Sequence, residues 1–228
     1  MIEHSWDLSA SEAAELQQKL ACKVVREDCM GRVCLVAGVD AAYDERHDQQ
    51  VAAAAVLDAD DLNLVEYAVA REAVRFPYVP GLFAFRELPT ILQALNKLNR
   101  MPDLIVCDGQ GLAHPRRFGL ACHLGVLCDV ATIGCSKTPL TGKAKTPGPN
   151  RGDQAPLVDG DEIVGAVLRT QDSVRPVYVS VGHRVSLNTA CQWILRLASR
   201  HRLPQTTRHA DQIVRKHILN RCEFTTGG

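Results

Sequence analysis

The sequence predicts an α/β fold with a central mixed sheet flanked by helices. Three features point to it. Two apolar runs of strand length, Val33 to Val39 and Leu104 to Cys107, stop abruptly at aspartates, Asp40 and Asp108. Between them, apolar segments separated by short turns suggest an antiparallel meander at one side of the sheet. After Asp108, a helical stretch followed by another apolar run implies a parallel βαβ unit.

Taken in order, residues 9–27 read as an amphipathic helix. Ser9 and Glu12 have capping-box spacing, and Ala13, Leu16, Leu20 and Val24 recur at helical intervals. The strand ending at Asp40 is followed by an alanine-rich, weaker strand, Val51 to Leu57. Asp58 to Asn63 forms a turn, and Leu64 to Val74 returns as a third strand. The loop Phe76-Pro77-Tyr78-Val79-Pro80-Gly81 is stiffened by its prolines. Its tyrosine either anchors the loop in the core or is presented to stack on a base. Leu82 to Leu88 gives one or two helical turns carrying Glu87. Pro89, which has no N–H to lose, opens the next helix, so Glu87 sits at a junction. Ile91, Leu92, Leu95 and Leu98 form that helix's buried face.

Leu104 to Cys107 reads as a buried strand, and Gly109 and Gly111 behind it allow close backbone approach. The same turn delivers His114, Arg116 and Arg117. Gly119 to Val130 is a helix and Ala131 to Ser136 a buried strand, which leaves Lys137 at a strand end near Asp108. From Thr138 to Gly160 a polar, Pro/Gly-rich loop carries Lys143, Lys145 and Arg151. Long loops are commonly functional or mobile, and basic ones suit phosphate backbones. Strands follow at Ile163 to Leu168 and Val177 to Val181, the second leading into Gly182-His183-Arg184. Helices are expected at 187–199 and 207–218, with a frayed tail beyond Arg221.

The 228 residues read as a single domain, 1–228, with 46% hydrophobic and 23% charged residues, ordinary for a soluble globular protein. A formal net charge of +0 gives no overall support to a nucleic-acid partner and leaves only a local basic patch. No apolar stretch approaches the roughly 20 residues of a membrane span. The N-terminus lacks the zones of a signal peptide, so a cytoplasmic protein is expected. Nine scattered cysteines without a Cys-x-x-Cys pair argue for reduced, mostly buried thiols and against a structural zinc site.

Asp40, Glu87, Asp108 and His183 all fall at strand ends or helix junctions, with Lys137 as a fifth candidate. Aspartates from neighbouring strands and a glutamate from a helix would repel one another without a cation. Magnesium favours carboxylate oxygens and keeps several waters, and such clusters support two-metal phosphodiester hydrolysis. His183 either shuttles a proton, orients water or contacts a phosphate, or is a loop histidine with no chemical role. Lys137 would neutralise charge on the scissile phosphate. Carboxylates on the first and fourth strands of such a sheet suggest an RNase H-like fold.

Several segments carry a resemblance. They are Ala37-Gly-Val-Asp40, Pro77-Tyr78-Val-Pro-Gly81, Phe85-Arg-Glu87, Asp108-Gly-Gln-Gly-Leu-Ala-His114-Pro-Arg-Arg117, Ile133-Gly-Cys-Ser-Lys137 and Gly182-His183-Arg-Val-Ser186. In these the chain resembles endonuclease V, the deoxyinosine 3′-endonuclease family, over about residues 15–215. Pro204-Gln-Thr-Thr-Arg-His-Ala-Asp211 is similar to the family's C-terminal segment. The resemblance implies an RNase H-like, magnesium-dependent nuclease for which manganese can substitute. It implies action on DNA containing deoxyinosine, nicked at the second phosphodiester bond 3′ to the lesion to leave 3′-hydroxyl and 5′-phosphate ends; a monomer is expected.

By the same resemblance Asp40 and Asp108 are metal ligands, Glu87 is the third acidic residue and His183 the histidine near the metal. Lys137 stands near the cleavage site. Tyr78, between Pro77 and Gly81, is the wedge that fills the space of the displaced base, and His114 and Arg116 lie in the lesion-side loop. Hydrogen bonds to the hypoxanthine edge are expected from backbone groups around Gly81 and Gly109 to Leu112. Some relatives prefer inosine in RNA, so an endoribonuclease is an alternative. A non-catalytic nucleic-acid-binding module is another, which the acidic cluster disfavours. The sequence departs from the pattern at Thr138-Pro139, where a second basic residue is common, and at Asn188, where an acidic residue is common.

Overall fold

The computed structural model describes residues 4–219, so the tail expected to fray beyond Arg221 lies outside the described residues. Ser9 caps the first helix, α1 (Ala10–Ala21), through the expected capping box with Glu12. Three long strands follow: β1 (Leu35–Asp44), β2 (Gln49–Asp58) and β3 (Leu64–Ala73). Helix α2 (Phe83–Leu95) leads to β4 (Leu104–Asp108), α3 (Leu120–Cys128) and β5 (Ala131–Ser136). The chain ends in β6 (Gln154–Asp159), β7 (Glu162–Leu168), β8 (Val177–His183), α4 (Leu187–Leu197) and α5 (Gln205–Leu219).

All these strands join one sheet in the order β3-β2-β1-β4-β5-β8-β7-β6. The meander β1–β3 is antiparallel and β4 pairs parallel with β5, as expected, and β4 also runs parallel to β1. This is the RNase H-like arrangement. Strict alternation divides the buried side chains between two faces. Ala37, Val39, Ile105 and Cys107 pack on one face with Ala84, Leu88 and Ile91 of α2 and Leu124 of α3. Val36, Leu104 and Val106 pack on the other with Ile194 of α4 and Ala210 of α5. Strands covered on both faces read as continuous apolar runs, and for that reason they were visible in the sequence.

The structure differs from expectation in several elements. Glu87 does not sit at a junction: α2 is continuous and holds Pro89 in its interior. The loop expected over Thr138 to Gly160 ends early, because β6 pairs with β7 in a hairpin. Its alternating exposed and buried residues and its place at the sheet edge, where Pro156 is tolerated, hid it. Arg151 is not a phosphate contact. It turns inward and donates to the carbonyls of Leu195 and Ala198, and to that of Thr170. Cys22, Cys29 and Cys34 are exposed, while Cys107, Cys122, Cys135 and Cys191 are buried. No helix among the described residues is long and apolar enough to cross a membrane.

Candidate active site

The parallel pairing of β1 with β4 sets Val39 opposite Cys107, so Asp40 and Asp108 are the next residues along neighbouring strands. Alternation turns both towards the face covered by α5. That helix lies close because Gly38 has no side chain: a Cβ there would stand 2.1 Å from the backbone of Thr206. The close approach carries Asp211 of α5 towards Asp40. Glu87 reaches the same place from α2.

The electrostatics report the crowding. Burial, then the charges of Asp108 and Asp211, push the Asp40 carboxyl up to about 7. Burial, then Asp40 and Asp108, push Glu87 up to about 8. Lys137 follows β5 and donates from Nζ to Asp108 Oδ2 at 2.7 Å. Burial pulls its ammonium down, but the bond to Asp108 and the nearby Asp40 and Asp211 leave it raised on balance. Among the described residues, no three acidic, histidine or cysteine side chains close around a single point. The acidic groups face one another across a gap, and a lysine is the cation already at Asp108.

A cavity of about 350 Å³ runs from this cluster to Gly81, lined also by Glu87, Asp108, Gln110 and His114. The Gly81 carbonyl is its far anchor. It accepts from Arg116 Nη2 at 2.8 Å, His114 Nε2 at 2.9 Å and Gln17 Nε2 at 3.1 Å. Because His114 Nδ1 accepts from the Arg116 N–H, the proton on Nε2 faces the carbonyl. Burial draws His114 down to about 4, so the ring is neutral and acts as a fastener. Phe76 and Phe85 pin the loop from below. Tyr78 is therefore released from anchoring: it is 66% exposed, its ring edge-on to Phe83 at 4.7 Å.

The Endonuclease V family model matches residues 18–212. The chain belongs to the Endonuclease V family. The Endonuclease V of Roseiflexus castenholzii is 52% identical over 212 residues, which cover 92% of this chain and 94% of that one. The crystal structure of Endonuclease V from Streptomyces avermitilis superposes with a TM-score of 0.91 at 49% identity, covering 97% of this chain and 98% of that one. Endonuclease V from Ciona intestinalis, in complex with a 24mer DNA containing an inosine followed by a ribo-adenosine, superposes with a TM-score of 0.81 at 26% identity, covering 92% of this chain and 98% of that one. As an Endonuclease V family member the protein is a nuclease.

Two site expectations need correction within this Endonuclease V framework. His183 is not beside the carboxylates. β8 runs antiparallel to β5 and sets His183 opposite Thr132, near the start of β5, whereas Lys137 follows its end. At about 3.3 Å per residue the two are separated by roughly 15 Å. His183 instead accepts from the Val25 N–H at 3.2 Å and faces Asp129 at 3.6 Å. Arg116 donates from Nε to Gln17 Oε1 at 2.5 Å and from Nη2 to the Gly81 carbonyl, so it braces the loop. The N–H groups of Gly109, Gly111 and Leu112 are not open to a base. They donate to the Cys107 carbonyl, Ser180 Oγ and the Val181 carbonyl. Gly111 does serve close approach, since a Cβ there would meet the Val181 carbonyl oxygen at 1.9 Å.

Two residues were missed. Gln17 is buried and ties α1 to the carbonyls of both Gly81 and Phe118. Its signal was a polar residue on the apolar face marked by Ala13 and Leu20. Asp211 stood in a segment shared with Endonuclease V, yet nothing local distinguished it from a surface carboxylate. Of the departures, Thr138 turns its carbonyl to Ser136 Oγ at 2.9 Å and, with Pro139, lines the cavity. Asn188 is exposed in the first turn of α4, where Asp28 supplies the carboxylate that binds Ser186 and Thr189.

Proposed function

We propose that the protein is a metal-dependent DNA repair endonuclease that recognises deoxyinosine. It cuts the second phosphodiester bond on the 3′ side of the lesion and leaves 3′-hydroxyl and 5′-phosphate ends. One observation carries the reading: Asp40, Asp108 and Glu87 crowd together beside Lys137, at one end of a cavity whose other end is the Gly81 loop.

The residues present fit magnesium, with manganese as a substitute. The donors gathered are carboxylate oxygens, and their mutual repulsion is what a dication relieves. Asp40 and Asp108 would hold it, with Glu87 beside them. Magnesium is usually held by one or two carboxylates, waters and substrate phosphate, which suits a site that does not close by itself. When bound, the cation activates water and stabilises the leaving oxygen.

The chain's own groups supply the rest. Lys137 offers its ammonium to the scissile phosphate, where a fixed positive charge stabilises the charge that builds in the transition state. Tyr78, exposed on a braced loop, fills the gap left by the displaced base. Flipping a base costs a few kcal/mol and less where pairing is weak, which favours inosine.

The test is a nicking assay with magnesium on oligonucleotides, DNA and RNA, single- and double-stranded, each with one inosine or none. The wild type should nick inosine DNA one nucleotide past the lesion, and Asp40→Ala should not. Cleavage of inosine RNA alone would move the function to RNA turnover. Binding without cleavage by the wild type would leave a nucleic-acid-binding module.

A further inference from the structure

A second groove of about 690 Å³ opens on the far side of Lys137. It meets the lesion-side cavity at Lys137 and Pro139, which line both. Its floor is Leu157, Val167 and Tyr178. Its walls carry Lys143, Lys145 and Arg175, all exposed, and Arg202 lies beneath.

Several arginines elsewhere are paired: Arg26, Arg71, Arg117, Arg184, Arg196 and Arg215 each face a carboxylate. Among the described residues, the side chains of Lys143, Lys145 and Arg175 face none. In a chain of formal net charge +0, three unpaired cations along one groove are a local concentration of positive charge. The groove is also built to keep its shape. Lys143 exchanges backbone hydrogen bonds with Val158 at 2.7 and 2.9 Å. Arg169 holds the carbonyls of Pro147 and Gly148 at 3.0 and 2.9 Å. Arg202 ties the Lys137 carbonyl to that of Pro176.

We propose that this groove holds the phosphate backbone of the nucleotides on the 3′ side of the cut. The inference rests on the endonuclease reading above and extends it. If the lesion base enters the cavity by Gly81 and the strand is cut beside Asp108 and Lys137, the chain beyond the cut runs on in the 3′ direction. The open path from Lys137 is the groove of Lys143, Lys145 and Arg175. Contacts to backbone phosphates release counterions and carry little sequence preference, which suits an enzyme that must accept any sequence beyond its lesion.

The experiment compares wild type with Lys143→Gln/Lys145→Gln/Arg175→Gln. Single-stranded inosine oligonucleotides with a fixed 5′ arm and 3′ arms of increasing length are bound in calcium and nicked in magnesium. Wild-type affinity should rise as the 3′ arm lengthens, and the variant should lose most of that rise. On the longest arm, three lost phosphate contacts should lower the slope of log affinity against log salt by about 2. Between 50 and 200 mM salt, the wild type should therefore lose roughly 20-fold more affinity than the variant. An equal loss on every arm length would overturn the groove assignment, as would unchanged binding throughout, which would leave the groove to another anionic partner. A wild type that shows no inosine-dependent nicking would overturn the endonuclease reading itself, and with it the idea of a 3′ arm.

Discussion

Burial raises both Asp40, to about 7, and Glu87, to about 8, with the charges of Asp108 and Asp211 adding to the first and those of Asp40 and Asp108 to the second. A substitution that removes one of these charges removes repulsion along with a proposed cation ligand. Asp40→Asn should therefore melt at a higher temperature in buffer free of divalent ions, by the equivalent of about 0.5–2 kcal/mol. The same variant should not nick inosine DNA. Lower stability on melting would show instead that Asp40 is a needed structural acceptor. Tyr78 gives the opposite separation, between binding and folding. Its exposed ring lies edge-on to Phe83, the first residue of α2, so Tyr78→Ala should fold as well as wild type. Its affinity for inosine DNA should fall by about 1–3 kcal/mol of lost stacking. A titration by fluorescence anisotropy decides it, and unchanged affinity would remove the tyrosine from the wedge role.

At the scale of elements, α1 reaches the site only through Gln17. Replacing it by leucine takes one of three donors from the Gly81 carbonyl, a donor from the Phe118 carbonyl and the acceptor from Arg116 Nε. Buried groups left unpaired cost about 1–3 kcal/mol. Gln17→Leu should show that loss in urea denaturation and also bind inosine DNA more weakly, because the Pro77 to Gly81 loop is less firmly held. A loss of stability with full affinity would mean the loop keeps its shape without α1. Elements were legible where one physical signal dominated. β1, β4 and β5 are buried on both faces, and Ser9 with Glu12 forms a closed box. β6 was not legible, since half of it faces solvent and its turn residues outweigh its apolar ones. The helix through Pro89 was read as broken because a proline removes a hydrogen bond, yet packing of Leu88, Ile91 and Leu95 holds it continuous.

At the scale of the whole molecule, sequence order places strand ends but not strand directions. Asp40 and Asp108 met as expected because β1 and β4 run parallel. His183 went to the other end because β8 runs against β5, and Asp211 arrived from a helix more than a hundred residues distant. Global stability should carry the mark of His114, drawn down by burial to about 4 from about 6.5 in the unfolded chain. Between those values the unfolded chain binds the extra proton, so stability falls as pH drops from 6.5 to 4, by about 3 kcal/mol in all. Buried His123 is lowered too and adds in the same sense. Urea titrations from pH 7 to 4 should give a flatter profile for His114→Gln, and an unchanged profile would place the ring in water in solution. The bond between Lys137 and Asp108, finally, joins the ends of β5 and β4, so the group proposed to meet the phosphate is positioned by a group proposed to hold the cation. On that reading a change at either residue would be felt at both.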